Sequence, residues 1–235
     1  MARKSFKAGA LTAPVPPVMV TVGDMECSNV LTIGWTGILS TIPPRTYISV
    51  RPQRHSYKLL KSTGEFVINL TTASQAKTVD YVGIYTGAKV DKFKECKLTK
   101  IASKEVGAPT IAECPLALEC RVIEVIPMGT HDVFIADIVS VSCDDSILDD
   151  AGKIRFDKAG LLAYAHGEYF ALGEKLGKFG FSTDKPGRKP TQKKQTAPVS
   201  HEKKESVAPE ETKKRPFYLD APRGKGKSKG RGNRK

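Results

Sequence analysis

Short apolar runs of strand length, each bounded by turn residues, most strongly constrain the fold of this chain. The runs are rich in β-branched and aromatic residues, as strands are. Four of them are VMVTV (18–22), NVLTIGW (29–35), RTYISV (45–50) and EFVINL (65–70). Two longer runs, at 116–126 and 131–143, are separated only by Pro127 to Thr130, which predicts a hairpin.

Helical patterns are fewer and shorter. We predict helices over 55–63 and 73–83 and a third short one over 160–165. Because strands and helices do not alternate regularly, a doubly wound parallel sheet is disfavoured. The sequence instead predicts a mainly β fold, a closed or partly closed antiparallel barrel with short flanking helices, since closure removes exposed strand edges.

The charge of the chain is concentrated at its C-terminal end. Residues 184–235 hold 17 Lys and Arg against 6 Asp and Glu, a net charge of +11, whereas residues 1–183 carry a net charge of +2. Segment 184–235 is also poor in apolar residues and rich in Lys, Pro and Gly, so we predict one folded domain over 1–183 and a disordered basic tail over 184–235. Any contact with nucleic acid would then involve the tail, because the domain itself has no basic excess.

Several function classes lack their motifs. No GxSxG elbow, no GxxxxGK[ST] loop and no strand-flanked GxGxxG is present, which argues against a hydrolase and against standard nucleotide loops. The five cysteines have no CxxC spacing, so no metal site is predicted and the thiols are expected to be reduced in a cytoplasmic protein. No apolar stretch is long enough to cross a bilayer, so no membrane association is expected.

Six segments, in this order, resemble the flavin reductase-like, FMN-binding split-barrel family, and within it the flavoredoxin branch. They are NVLTIGW (29–35), SVRPQRHSYKLLK (49–61), EFVINL (65–70), YTGAKVDKF (85–93), MGTHDVFIADIVSV (128–141) and LGKFGFS (176–182). The resemblance implies a split barrel that holds FMN non-covalently near the interface of a homodimer. It assigns the flavin-binding positions to Asn29, Thr32, Gly34, Trp35, Thr36, Ser49, Arg51, Arg54, Ser56, Lys92, His131 and Tyr164.

The chemistry of these residue types agrees with that assignment. The FMN phosphate suits Ser56 and the N-terminus of the 55–63 helix, with Arg54 and Lys92 adding charge-assisted hydrogen bonds. Trp35 and Tyr164 offer flat apolar surfaces to the ring, Asn29 suits its pyrimidine edge, and His131 or Lys92 could tune its potential. Each residue also has a plainer interpretation. Trp35 could be a core aromatic, Lys92 part of a solvated charged run, and His131 a turn residue.

Three functions stay open. The first is a flavin reductase that takes electrons from NAD(P)H, and the second is a flavoredoxin-type carrier reduced by a partner protein. The third is a non-enzymatic scaffold whose tail binds polyanions. Hydride transfer to a flavin needs no side-chain acid or base, so no catalytic residue is predicted.

Overall fold

The structure, a computed structural model, describes residues 2–183. The chain is one compact unit as far as Phe179, and a second unit begins at Gly180. Of the second unit, the described residues contain only a 3₁₀ turn at Phe181–Thr183. The tail predicted over 184–235 lies outside the described residues, and the predicted domain boundary stays a prediction.

A seven-stranded antiparallel sheet dominates the first unit. Its strands are β1 (Val18–Gly23), β2 (Ser28–Ile33), β3 (Thr36–Thr41), β4 (Pro44–Val50), β5 (Glu65–Asn69), β8 (Leu116–Pro127) and β9 (Asp132–Cys143). Their order in the sheet is β2-β1-β5-β8-β9-β4-β3. Two small sheets pair β6 (Lys100–Ile101) with β7 (Thr110–Ile111) and β10 (Leu162–Ala165) with β11 (Glu168–Ala171). The helices are α1 (Ser56–Thr63), α2 (Ala76–Ile84) and α3 (Lys92–Glu95), with 3₁₀ turns at Ala73–Gln75 and Asp145–Ile147.

The sheet curls into a split barrel because its two edge strands follow each other in the chain. Strands β2 and β3 occupy opposite edges, yet only Gly34 and Trp35 connect them. The three Cα–Cα steps from Ile33 to Thr36 span at most about 11 Å, so the two edges must lie close together here. The backbone N–H of Ser49, in β4, donates to the carbonyl of Trp35 at 3.0 Å and fastens this crossing. The split therefore lies at Gly34 and Trp35, and the mainly β prediction is confirmed.

Strand β1 is buried along its whole length, because the sheet is covered on both faces at this point. Its alternate residues Val18, Val20 and Val22 enter the barrel interior, where Phe66 and Phe134 also lie. Met19 faces outward into a second cluster with Val79 and Val82 of α2. Burial on both faces explains why apolar residues, interrupted only by Thr21, fill this strand up to Val22 instead of alternating with polar ones.

The two longer predicted helices are present, and the hairpin of β8 and β9 is confirmed, with two irregularities in its register. The first covers Ser56–Thr63, and the second starts with the 3₁₀ turn at Ala73–Gln75 before α2. The helix predicted over 160–165 is wrong. Gly160 has a φ of 57°, and the following residues form β10, which pairs with β11 and with Val15.

No cysteine is paired in a disulfide, and no group of side chains in residues 2–183 has the composition of a metal site. No helix of the described part of the chain is long and apolar enough to span a membrane.

Candidate functional site

A cavity of about 400 Å³ opens at the split of the barrel, a volume typical of small-ligand sites. Elements distant in the chain converge there. They are the end of β2, the crossing at Gly34 and Trp35, the turn after β4, and the start of β9. Of the twelve predicted site residues, eight line the cavity: Thr32, Gly34, Trp35, Ser49, Arg51, Arg54, His131 and Tyr164. We call these eight residues the cavity wall.

Two arginines give the cavity wall its charge. Arg51 and Arg54 lie in the turn between β4 and α1, where the N–H of Arg54 donates to the carbonyl of Arg51. Arg54 Nη1 also donates to the carbonyl of Gly83 at 2.7 Å. Within the described part of the chain, neither guanidinium forms an ion pair with a carboxylate. Five other basic side chains do lie within 4.0 Å of a carboxylate oxygen. The cavity therefore presents two uncompensated positive charges, which suits an anionic ligand group.

Trp35 and His131 form an aromatic pair beside these charges. Their ring centroids are 4.5 Å apart, and the indole remains 45% exposed, which a core aromatic would not be. His131 Nε2 accepts from Arg51 Nε at 3.4 Å, while Nδ1 lies 2.9 Å from Thr130 Oγ1. Burial and the charges of Arg51 and Arg54 lower the pKa of His131. The imidazole is therefore neutral at neutral pH, and the guanidinium of Arg51 supplies the positive charge here.

A second aromatic pair lies on the β10–β11 hairpin. Tyr164 and Tyr169 both line the cavity, with ring centroids 5.2 Å apart. Gly34 lies against this hairpin. A Cβ at that position would lie 3.4 Å from Val15 Cγ2 and 3.9 Å from Tyr164 Cδ1, which are ordinary van der Waals distances. The space around this predicted site residue therefore does not require a glycine.

Four predicted site residues lie behind the cavity wall and not on it: Asn29, Thr36, Ser56 and Lys92. We call them the supporting set. Asn29 Nδ2 donates to Ser56 Oγ at 2.7 Å, and both side chains are buried. Ser56 opens α1, a helix with no side-chain cap and no acidic residue in its first turn. The N–H of Tyr57, in that turn, donates to the carbonyl of Arg54 at 3.0 Å and places the start of α1 beside Arg54.

Lys92 and Thr36 are bonded to the backbone. Lys92 is only 3% exposed, and Nζ donates to the carbonyls of Val30 at 2.9 Å and Val82 at 2.8 Å. Burial, with a contribution from Arg54, lowers the pKa of Lys92 to about 8. The interpretation of Lys92 as part of a solvated run is therefore wrong. Thr36 Oγ1 donates to the carbonyl of Tyr47 at 2.6 Å and joins β3 to β4.

The donor set of the cavity fits a flavin mononucleotide. Such a ligand combines a planar aromatic ring with a phosphate that carries about two negative charges at neutral pH. The cavity combines the exposed ring of Trp35 and the half-buried ring of Tyr164 with the guanidinium groups of Arg51 and Arg54. Flat rings and cations on one wall match both parts of that ligand.

A comparison with known protein families agrees with this chemistry. The family model described as "Flavin reductase like domain" matches residues 11–173, which include the barrel and the whole cavity wall. The chain belongs to the flavin reductase-like family.

Several known proteins are similar to the chain over much of its length. The flavoredoxin of Desulfovibrio vulgaris (Miyazaki F) is 31% identical, with a TM-score of 0.73 over 78% of this chain and all of its own. An FMN-binding protein from Thermus thermophilus is 26% identical, with a TM-score of 0.64 over 76% of this chain and 97% of its own. An uncharacterised protein of Archaeoglobus fulgidus is 34% identical over 57% of this chain and 76% of its own length.

A more distant relative carries the name of an enzyme. The protein named FMN reductase (NADH) RutF, from Bradyrhizobium diazoefficiens, is 22% identical over 45% of this chain and 58% of its own length. Membership of the family supports a flavin-associated redox function for the chain.

Sequence reasoning missed two cavity residues that matter, Tyr169 and Gly83. Tyr169 lies opposite Tyr164 across the tight turn at His166 and Gly167, so recognising that hairpin would have found it. Gly83 was predicted only as the last residue of the helix over 73–83. Its carbonyl binds Arg54, and a Cβ at this position would lie 3.2 Å from Thr32 Cβ.

Proposed function

We propose that this protein is an FMN-binding oxidoreductase and that the flavin lies in the cavity at the split of the barrel. One observation carries the proposal. The same cavity holds two guanidinium groups without a carboxylate partner among the described residues and the aromatic faces of Trp35 and Tyr164. The phosphate would lie toward Arg51, Arg54 and the start of α1, and the ring toward the two aromatic residues.

Bound FMN would supply the hydride and electron chemistry, which no side chain of the cavity can perform. The residues of this chain bind and orient it. Arg51 and Arg54 neutralise the phosphate, and the guanidinium of Arg51 places positive charge beside the Trp35 and His131 rings. Neutral His131 accepts from Arg51 and so holds that guanidinium in position.

The absorption spectrum of the purified protein tests the proposal. We expect a yellow protein whose chromophore is released on denaturation and identified as FMN, and an apoprotein that rebinds FMN on titration. The Arg54→Gln variant should bind FMN about tenfold more weakly, because it loses a charge-assisted contact with the phosphate. A colourless preparation whose apoprotein does not bind FMN in excess would contradict the proposal.

Two versions of this function differ in their electron donor. A relative named FMN reductase (NADH) supports a reductase that takes electrons from NAD(P)H, and the similarity to a flavoredoxin supports a carrier reduced by a partner protein. We favour the reductase. Stopped-flow bleaching of the flavin band by NADH or NADPH tests it, and loss of that reaction with retained dithionite reduction would favour the carrier.

We also propose a homodimer that includes the edge strand β3. Its side chains Ile38 and Leu39, with Ile42 just beyond it, are 62%, 51% and 92% exposed in the single chain. Exposed apolar residues on an unpaired edge are characteristic of an interface. Sedimentation equilibrium should give twice the chain mass, and Ile38→Lys should give a monomer; a monomeric wild-type protein would exclude the dimer.

The scaffold function differs in what the tail does. It predicts a colourless protein whose polyanion binding disappears when residues 184–235 are deleted. The flavin proposal predicts that the same deletion leaves FMN affinity unchanged, because the cavity wall is complete within the described residues.

A further inference from the structure

The β10–β11 hairpin carries both tyrosines of the cavity. Its turn residues His166 and Gly167 have φ angles of 47° and 101°, which a two-residue hairpin turn of this kind requires. Across the hairpin Tyr164 pairs with Tyr169. A shift of this one hairpin would therefore move both rings relative to the cavity.

Few bonds hold the hairpin, because β10 and β11 form a two-stranded sheet outside the seven-stranded one. At its base, the N–H of Leu162 donates to the carbonyl of Thr71 at 3.0 Å. On the β10 side, Val15 and Tyr164 exchange two backbone hydrogen bonds of 2.9 Å. On the β11 side, Tyr169 Oη donates to Asp80 Oδ1, in α2, at 3.2 Å, and the Tyr169 ring packs on the cluster that contains Val79 and Val82.

We propose that Tyr169 is a positioning residue for the flavin. Its hydroxyl, bonded to Asp80, holds the β10–β11 hairpin over the cavity, fixes the Tyr164 ring and slows the release of FMN. The inference rests on the proposed function and adds a residue and a role to it. Tyr169 lines the cavity itself, so its own ring moves with the same bond.

The hydroxyl is suited to this role at physiological pH. Burial, the charge of Asp80 and the hydrogen bond to it raise the pKa of Tyr169 to about 12. The phenol therefore stays protonated and remains the donor. Asp80 is exposed on α2, so its removal leaves the core of the barrel intact.

One partly exposed hydrogen bond changes an equilibrium modestly. At its usual net strength, its loss should increase the population of the displaced hairpin about three- to tenfold. Release of a covered ligand requires the cover to move, so the dissociation rate of FMN should rise by the same factor. The association rate should change less, as it does among variants of one binding site.

The test uses the full-length holoprotein and four variants. We would measure FMN dissociation and association rates from flavin fluorescence for wild type, Tyr169→Phe, Asp80→Ala, the double variant and the control Tyr85→Phe. Tyr85 follows α2, stacks on Tyr81 and is not among the residues that line the cavity. We expect about three- to tenfold faster dissociation in both single variants, no further increase in the double variant, and no change in Tyr85→Phe. The visible circular dichroism of bound FMN should change in the same three variants, because the Tyr164 ring is displaced.

The outcomes distinguish failure of the inference from failure of the proposed function. If wild-type protein does not bind FMN, the proposed function fails and the inference fails with it. If wild type binds FMN but Tyr169→Phe releases it as slowly as Tyr85→Phe does, the inference alone is overturned. If the effects of Tyr169→Phe and Asp80→Ala multiply in the double variant, Asp80 is not the partner through which Tyr169 acts, and the inference is again overturned.

Discussion

The cavity wall and the supporting set are made of residues that one family resemblance predicted together, yet they differ in their surroundings. On the cavity wall, Arg51, Arg54 and Trp35 are exposed and keep unsatisfied charge or open ring surface. In the supporting set, Lys92 and Ser56 are 3% and 1% exposed, and each bonds to another protein group. A residue of the first kind acts on a ligand directly, whereas one of the second kind acts by holding the wall in place.

Lys92→Met should give the largest effect on folding. The change keeps much of the side-chain volume but removes the donor that satisfies the carbonyls of Val30 and Val82. Two buried carbonyls without donors cost more than the relieved desolvation of the ammonium returns, so we expect a loss of about 2 to 3 kcal/mol in the free energy of unfolding. Urea unfolding measures it, with the exposed Lys94→Met as the control. An unchanged stability combined with a large loss of FMN affinity would show that Lys92 acts on the ligand directly, as the residues of the cavity wall do.

The same lysine predicts a dependence of stability on pH. Its pKa is lowered from 10.5 to about 8 in the folded protein, so between these pH values the unfolded chain binds more protons at this group. Stability contributed by Lys92 therefore rises with pH across that window. Urea unfolding as a function of pH should show the wild type gaining stability relative to Lys92→Met from pH 8 to pH 10.5. A constant difference would show that the amine is solvated.

Gly87→Ala tests the hydrogen bond between Asn29 and Ser56, the two other buried residues of the supporting set. A Cβ at Gly87 would lie 2.3 Å from Asn29 Oδ1, so the Asn29 amide must move away from its bond to Ser56. Crowding of this kind costs about 1 to 3 kcal/mol, and we expect about 2 kcal/mol in urea unfolding. Gly173→Ala is the matched control, because a Cβ there would meet no atom within 4 Å. Equal stability of the two variants would show that Asn29 is free to rearrange.

The strands that coincide with apolar runs could be predicted from the sequence. The strands that depend on partners distant in the chain could not. Strand β1 is buried throughout and apolar apart from Thr21 and Gly23, because both of its faces are covered, and this pattern is visible in the chain. Strand β3 keeps Ile38 and Leu39 exposed, so no alternation of buried and exposed residues marked it. Strand β10 has four residues and is held by β11 and by Val15, which lies far away in the sequence.

Which residues belong to the site could be predicted more fully than how deeply each side chain is buried. The resemblance supplied twelve positions, eight of which line the cavity, but a motif does not state which way a side chain points. Lys92 stands in a run of charged residues and is nevertheless buried. Asp91 was the available signal, because its side chain accepts from the N–H groups of Phe93 and Lys94 and starts α3 at this point.

Arg51→Gln should affect the ligand and leave folding almost unchanged. The exposed side chain contributes little to stability, but its charge faces the proposed phosphate site, so FMN affinity should fall about tenfold. Loss of the nearby cation should also raise the pKa of His131, which NMR of the imidazole measures without any ligand. Arg45→Gln, which lies in β4 and is paired with Asp137, is the control. An unshifted pKa of His131 would show that Arg51 does not hold the imidazole.

Thr36→Val should give the smallest effect. It tests whether Thr36 acts as a member of the supporting set and not of the cavity wall. The change conserves shape and removes only the hydroxyl that donates to the carbonyl of Tyr47, so we expect a loss of about 1 kcal/mol in unfolding free energy. FMN affinity should stay within twofold of wild type, roughly the scatter expected for a side chain that does not touch the ligand. Isothermal titration with FMN measures it. Because Thr36 directly follows Trp35, a clear loss of affinity would mean that strand β3 transmits its own position to the indole, and that the division between cavity wall and supporting set does not hold at this end of the split.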